Sequence, residues 1–346
     1  MKARRIERNG GGSLPKPGMI LCAEVRDDSG RAVLRKGQVL GAEDVILLDR
    51  LDWRELHVIE PAAGELHEEE AGRRLAAAAA GDGVTVQDFA GGHWGLASTR
   101  RGMLAVAVDA LNRANRVEGA CLYTFYDGQI VDVGDIVGRA KVTPFVLAEE
   151  RVREVEALAR EARGLVRVAP FRRARVGAVV QERVNEQALS RFRGALEEKL
   201  AWLGSDIVDV RAVAAEAGAV AAAVRALIDS GADVVVFAGT RAMDPLDPAF
   251  VALDELGATL ERYGVPAHPG SLSWKATLAG VPLIGMPTCG LFAQATSFDL
   301  ILPRLLAGRP VDHASLAELG HGGMLTKEMS FRFPPYRAAA GRGAVE

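Results

Sequence analysis

Cysteine is scarce in this chain of 346 residues, and long apolar runs are missing from it. The three cysteines, Cys22, Cys121 and Cys289, lie about a hundred residues or more apart, a spacing typical of neither a disulfide framework nor a zinc site. No apolar run reaches the roughly 18 residues needed to cross a bilayer, and the basic first residues lack the apolar core of a signal peptide. These absences predict a soluble cytoplasmic protein without a membrane partner.

The chain also lacks an excess of charge of one sign. It has 42 basic and 45 acidic residues and a formal net charge of −3, so nucleic acid is not an expected partner. A phosphorylated ligand would therefore need a local site. The arginine-rich stretch 163–175 is one candidate, but it precedes a strongly apolar strand, and a solvated linker is the simpler interpretation.

The first half of the chain predicts small mixed units. Residues 1–13 are charged and glycine-rich and are expected to be loosely held. Residues 14–61 predict an α+β unit with a hairpin at Ser29-Gly30, a helix and a closing strand. Residues 62–172 predict a β-rich middle domain, in which an acidic and alanine-rich helix over 65–80 serves as a spacer or lid.

Residues 173–311 follow a more regular pattern. Short apolar strands alternate with amphipathic helices, and Gly204 and Gly231 mark the ends of two of these helices. This alternation predicts an α/β fold with a mainly parallel, doubly wound sheet between two helical layers. The main domain boundary is expected near Pro170, and residues 312–346 are expected to form a C-terminal tail.

Three loops follow strands of this predicted sheet, over residues 181–188, 239–248 and 286–290. In doubly wound sheets, ligands bind beyond the carboxyl ends of the strands, at the point where the strand order reverses. Within the second loop, backbone N–H groups near Gly239 and the hydroxyl of Thr240 could hold a phosphate. Asp244 or Asp247 could bind Mg²⁺ or a donor group of the ligand.

Asp247 has a structural interpretation that competes with ligand binding. An Asp at the N-cap, with Pro248 at the first helical position and Gly257 just past the end, is a complete helix signature. The two roles are compatible, since a capping carboxylate at the end of a strand already faces the ligand crevice. The sequence leaves both open.

The remaining polar candidates also sit in turns. Pro287 and Gly290 predict a turn around Cys289, which is either a nucleophile or, since no histidine stands at a diagnostic spacing, a small buried side chain. The segment His268-Pro269-Gly270-Ser271 predicts a turn in which His268 could contact a ligand. His93 and Trp94 fit a turn residue and an apolar anchor, and their local sequence leaves their role open.

The order of these segments resembles the molybdenum-cofactor biosynthesis domain shared by molybdopterin adenylyltransferases and molybdopterin molybdotransferases. That family has a glycine-rich loop and an Asp after its third strand, then a Pro-Gly turn, then a second glycine-rich loop. The matching segments here are Ala238-Gly239-Thr240-Arg241 with Asp247, Pro269-Gly270, and Gly285-Met286-Pro287-Thr288. The likeness is strongest to a molybdopterin-binding subfamily that is sometimes fused to a cytidylyltransferase, and it extends upstream through residues 18–58, 111–112 and 141–145.

The resemblance implies that molybdopterin binds at these loops as a ligand or substrate, together with Mg²⁺ and molybdate. It implies catalytic roles for Asp244 and Asp247, with Asp247 also binding the metal. The residues expected to contact the cofactor are Gly239, Thr240, Arg241, His268, Pro269, Gly270, Ser271, Pro287, Thr288, Cys289 and Gly290.

Two functions of different classes follow from the resemblance. One is a molybdopterin-binding, transferase-like homo-oligomer of molybdenum cofactor biosynthesis that assists metal insertion. The other is a non-catalytic cofactor carrier, sensor or accessory protein for a molybdoenzyme. Because Ala238, Arg241 and Thr288 stand where the family has glycine, and other residues resist positive φ, the sequence supports binding better than catalysis. A phosphohydrolase acting on dinucleotide-like pyrophosphates is a third hypothesis.

Overall fold

The computed structural model describes residues 1–8, 14–181, 185–286 and 295–336. The chain contains both helices and strands throughout, which confirms the α/β class in its coarse form. The chain divides into two compact units. The first comprises Met1–Arg100, Leu104–Asp127 and Val131–Val168, and the second comprises Arg101–Met103, Gly128–Ile130 and Ala169–Glu346.

The first unit begins with a strand that the sequence did not predict. Strand β1 (Lys2–Glu7) pairs antiparallel with β5 over six residues, and Arg4 and Arg5 form ion pairs with Glu60 and Glu55 on that partner. The expectation of a loosely held start is therefore wrong for residues 1–8, while 9–13 lie outside the described residues. The other elements here are β2 (Ile20–Leu21), β3 (Val25–Arg26), β4 (Ala32–Leu34), α1 (Ala42–Arg50) and β5 (Glu55–Glu60).

The three predicted features of this segment are confirmed. Strands β3 and β4 form the expected hairpin, with Gly30 at positive φ, and α1 and β5 are the expected helix and closing strand. Strand β5 is central in a three-stranded sheet of order β1-β5-β2. The side chains of Leu21, Leu48 and Val58 fill the local core.

The following elements are β6 (Glu65–His67), α2 (Glu68–Ala79), β7 (Val84–Ala90), β8 (His93–Ser98), β9 (Gly102–Val106), α3 (Val108–Ala114), β10 (Ala120–Thr124), β11 (Ile130–Val131), β12 (Ile136–Val142), β13 (Val146–Ala148), α4 (Glu149–Glu161) and β14 (Val166–Pro170). They form sheets of order β10-β12-β8-β7, β11-β9-β14 and β13-β6. The arginine-rich stretch 163–175 contains β14, whose Val166 and Val168 are buried, so the solvated-linker interpretation is wrong for this part.

Helix α2 belongs to the core, which corrects its predicted role as a spacer or lid. Its buried face includes Ala71, Leu75 and Ala79, which pack in one hydrophobic cluster with residues of α4 and the sheet. Arg74 reaches from α2 to two glutamates of α4, with nitrogen-to-oxygen distances of 2.8 and 2.9 Å to Glu156 and 2.9 Å to Glu149. The alanines of α2 are thus part of the core that this helix shares with α4.

The second unit contains β15 (Arg175–Val180), α5 (Glu186–Trp202), β16 (Asp206–Ala212), α6 (Ala217–Asp229), β17 (Val234–Ala238), α7 (Pro248–Glu255), β18 (Thr259–Tyr263), β19 (Trp274–Leu278), β20 (Val281–Gly285), α8 (Phe298–Leu306) and α9 (His313–Ala317). Its six-stranded sheet has the order β16-β15-β17-β20-β19-β18. The first four strands of that order are parallel, and the pairs β20-β19 and β19-β18 are antiparallel. The sheet is therefore mainly parallel.

Alternating side chains explain why the strands read as continuous apolar runs. In β17, Val234 and Val236 belong to a cluster with residues of α5 and α8, whereas Val235 and Phe237 belong to a cluster with residues of α6 and α7. Both faces of the strand are thus covered by helices, as expected for a buried parallel sheet. All five side chains of β17 are fully buried.

The described part of the C-terminal segment packs onto this unit. Leu316, Leu319 and Leu325 join the cluster that includes α5 and α8. Tyr336 donates a hydrogen bond of 2.9 Å to Asp299 Oδ1, and the ammonium of Lys199 lies 2.5 Å from the same oxygen. Burial, together with the carboxylate of Asp299, holds the pKa of Tyr336 well above its ordinary value.

Candidate ligand-binding site

The strand order reverses between β15 and β17. The chain passes from β15 to β16 on one side of the sheet and then crosses to β17 on the other side of β15. Because β15 and β17 are parallel neighbours, their carboxyl ends share one edge, and Gln181 and Gly239 follow these ends directly. This is where a doubly wound sheet opens a crevice for a ligand.

The carboxylate of Asp247 connects the two strand ends. Its Oδ1 accepts a hydrogen bond of 2.8 Å from Nε2 of Gln181 and one of 3.0 Å from the backbone N–H of Ala249. Its Oδ2 accepts the backbone N–H of Arg241 at 3.0 Å. The side chain is 1% exposed and caps α7, so the predicted N-cap is confirmed. Its catalytic and metal-binding roles stay predictions.

Two buried polar atoms beside this connection have no hydrogen-bond partner among the described residues. They are Oε1 of Gln181 and Oγ1 of Thr240, in side chains that are 2% and 8% exposed. Each buried group left in this way costs about 1–3 kcal/mol, so each calls for a partner such as a water, an ion or a ligand. The sequence singled out Thr240 but not Gln181, whose signal was a polar side chain placed immediately after a fully buried strand.

The loop after β17 needs fewer glycines than the resemblance to the glycine-rich family loop implied. Gly239 has a φ of +82°, whereas Ala238 is the last residue of β17, and Arg241 is not among the described non-glycine residues with positive φ. The replacement of glycine at positions 238 and 241 is therefore compatible with this backbone. The Arg241 side chain is exposed to solvent.

Asp244 lies on the exposed outer part of the same loop. Its Oδ1 accepts the backbone N–H of Leu246 at 2.9 Å, and its carbonyl accepts the N–H of Asp247 at 3.0 Å. These bonds make Asp244 a turn residue that precedes Asp247. No hydrogen bond within residues 185–286 joins the two carboxylates themselves, and the predicted catalytic role of Asp244 stays a prediction.

The Pro269-Gly270 turn packs against the start of α8. Gly270 has a φ of +117°, and a Cβ there would lie 2.3 Å from Oγ of Ser297, which donates a 2.7 Å hydrogen bond to the Gly270 carbonyl. The glycine is thus required by a close approach of protein to protein. His268 and Ser271 have exposed side chains, and no hydrogen bond between described residues links them to Asp247.

The end of β20 is also shaped by packing. A Cβ on Gly285 would lie 2.1 Å from Nε1 of Trp274 on the neighbouring strand, so only glycine fits there. Trp274 in turn contacts Phe237 and Phe250, with ring centroids 5.0 and 5.4 Å apart. The predicted ligand contacts at residues 287–290 lie outside the described residues.

Residues 1–8, 14–181, 185–286 and 295–336 contain no group of three or more His, Cys, Asp or Glu side chains placed to bind a metal ion. No helix over those residues combines the length and the apolar character that a membrane crossing requires.

Comparisons with known proteins identify no family for the chain. No protein-family model matches the sequence, and no curated protein matches it. A molybdopterin biosynthesis MoeA protein from Pyrococcus horikosii aligns at a TM-score of 0.29 and 14% identity, covering 70% of this chain and 79% of its own. A molybdenum cofactor biosynthesis protein from Pyrococcus furiosus aligns at a TM-score of 0.25 and 12% identity, covering 90% of this chain and 66% of its own.

Proposed function

We propose that this chain binds molybdopterin at the carboxyl ends of β15 and β17 and serves in molybdenum cofactor biosynthesis. The observation that carries the proposal is the pair of buried, unpartnered polar atoms of Gln181 and Thr240 at the reversal of strand order. The identity of the ligand is supported by the sequence segments that resemble the molybdopterin-binding family, namely residues 238–241 with Asp247, Pro269-Gly270, and the segment that begins at Gly285. Both arguments point to the same unit of the chain.

The described residues fit a polar heterocyclic ligand with a charged tail. Gln181 and Thr240 offer an acceptor and a hydroxyl in a buried position, and the exposed guanidinium of Arg241 offers a cation to a phosphate at the rim. Bound molybdopterin supplies the sulfur ligands that take up molybdenum. The chain's own part is to bind and orient it, and Mg²⁺ and molybdate are further proposed ligands.

The proposal is tested by the compound that the protein retains after anaerobic purification, measured by pterin fluorescence after oxidation and by metal analysis. The wild-type protein should retain a pterin, and Asp247→Asn should lose most of it, because the amide has one acceptor where the carboxylate accepts three hydrogen bonds. Asp254→Asn is the matched control, since Asp254 is an exposed acid on the same helix. Equal pterin content in wild type and Asp247→Asn would contradict the proposed site.

One observation favours the second candidate, a non-catalytic carrier or accessory protein. Both carboxylate oxygens of Asp247 already accept hydrogen bonds from within the protein, which suits a structural connection better than proton transfer or metal binding. Turnover of molybdopterin with molybdate and Mg²⁺ by the wild type, with no turnover by a stably folded Asp247→Ser variant, would argue against the carrier.

A further inference from the structure

The orientation of the Gln181 side-chain amide is fixed by Asp247. Nε2 donates to Oδ1, which lies 2.8 Å away, and both carboxylate oxygens also accept backbone N–H groups, from Ala249 and Arg241. Turning the amide over would place Oε1 against a carboxylate oxygen, and two acceptors would then face each other. The carbonyl oxygen of Gln181 is therefore the atom directed away from Asp247.

That carbonyl oxygen needs a hydrogen-bond donor. Oε1 is buried and finds no donor in the described part of the chain, and Oγ1 of Thr240, two residues past the neighbouring strand end, is also unpartnered there. An amide oxygen only accepts, whereas a hydroxyl donates or accepts. A ligand that satisfies both atoms must present at least one N–H or O–H group to Gln181.

The start of α7 is already filled by the protein's own groups. Pro248 has no N–H, the N–H of Ala249 is bonded to the Asp247 carboxylate, and the N–H groups of Phe250 and Val251 are bonded to the Asp247 carbonyl. The first turn of this helix therefore offers no N–H to an anion, and a phosphate here would also face the Asp247 carboxylate. The helix N-terminus is not an anion site.

We infer that the inner surface of this site, formed by Gln181 and Thr240, recognises an N–H edge of the ligand and not its phosphate. The inference rests on the proposed function and makes it more specific. The class of ligand is a flat heterocycle with amino or ring N–H donors, such as an aminopyrimidinone ring. Gln181 accepts from that edge, Thr240 exchanges a hydrogen bond with a second polar atom of the ring, and any phosphate lies outward.

Equilibrium titration with free pterin, followed by its own fluorescence, tests the inference against inorganic pyrophosphate as the phosphate-only probe. Gln181→Met keeps the length of the side chain and removes its acceptor, and it should weaken pterin binding about tenfold or more while pyrophosphate binding stays within about twofold. An N-methylated pterin with blocked N–H donors should bind the wild type as weakly as pterin binds Gln181→Met. Unchanged pterin affinity in Gln181→Met, or an equal loss for pyrophosphate, would overturn the inference.

A second test combines thermal stability, measured without ligand, with pterin binding. Thr240→Val removes a buried hydroxyl that has no described partner, so it should raise the midpoint of thermal unfolding by roughly 2–4 °C while weakening pterin binding. Ser205→Ala is the matched control, because the buried Ser205 hydroxyl accepts the N–H of Ala174 near the opposite ends of the strands. That variant should lower the midpoint and leave binding unchanged. A lower midpoint in Thr240→Val would mean that its hydroxyl already has a partner and would overturn the role given to it.

The two proposals fail in different ways. If the wild type retains molybdopterin but Gln181→Met and Thr240→Val bind free pterin as well as the wild type does, the inference fails and these two residues no longer support the site, whereas molybdopterin binding by the chain stands on the retained compound. If the wild type neither retains a pterin compound nor binds free pterin, both fail.

Discussion

Replacing Asp247 tests the structural connection on which the site depends. Asp247→Ser retains a side-chain oxygen that can cap α7 through Ala249, but it is too short to reach Gln181 as well. Asp247→Ala removes both functions. The difference between the two variants therefore separates the helix cap from the link between the strand ends.

The magnitudes follow from the three hydrogen bonds. Losing the link leaves the buried Nε2 of Gln181 without an acceptor, which costs about 1–3 kcal/mol, whereas the half-buried N–H of Arg241 can bond to water instead. Losing the cap costs about 1 kcal/mol more. We expect Asp247→Ser to reduce the free energy of unfolding by about 1–3 kcal/mol and Asp247→Ala by about 2–4 kcal/mol.

The assay is urea denaturation at neutral pH, with the free energy of unfolding extrapolated to water. In a Gln181→Met background the Asp247→Ser change should cost about 1 kcal/mol less. The reason is that methionine has no Nε2 group that could lose its acceptor. Equal stability of all variants within about 0.5 kcal/mol, or strict additivity of the two changes, would refute the reasoning.

Two further predictions concern buried charge. Asp299→Leu should lower the free energy of unfolding by about 3–5 kcal/mol, because Lys199 would stay buried without its counter-ion. Urea denaturation should show that the double variant Lys199→Met/Asp299→Leu recovers most of that loss. A double variant as unstable as Asp299→Leu would contradict this prediction. Burial raises the pKa of Glu68, so the charged carboxylate destabilises the folded state once the pH exceeds the pKa of this group in the unfolded chain. Glu68→Gln should therefore raise the midpoint of thermal unfolding at pH 7, and this difference should vanish near pH 4. Scanning calorimetry at both pH values measures it.

Sequence patterns predicted the elements whose bounds depend on interactions between residues close together in the chain. The apolar run of β17 follows from its burial on both faces, and the limits of α7 follow from Asp247, Pro248 and Gly257, whose capping and turn preferences act within a few residues. The alternation of strands and helices also predicted a mainly parallel sheet, although it did not reveal that β18 and β19 are antiparallel.

Long-range contacts account for most of what the sequence missed. Strand β1 is polar, and it pairs with β5, which lies about fifty residues further along the chain; Lys2, for example, is opposite Glu60. The side chain of Gln181 is oriented by a hydrogen bond to Asp247, 66 residues further along the chain. The residues next to position 181 contain no pattern that predicts this contact. Arg241 does not need the positive φ that favours glycine, because Gly239 is the residue of this loop that has one.

Hydrogen–deuterium exchange tests the central claim most directly, by comparing protein that carries its retained ligand with the same protein after the ligand has been removed. Ligand at the ends of β15 and β17 should slow exchange in peptides covering 178–181 and 238–249, where Gln181, Thr240 and Asp247 lie, and leave the first unit unchanged. Protection confined to the first unit, or none at the ends of these strands, would contradict the account.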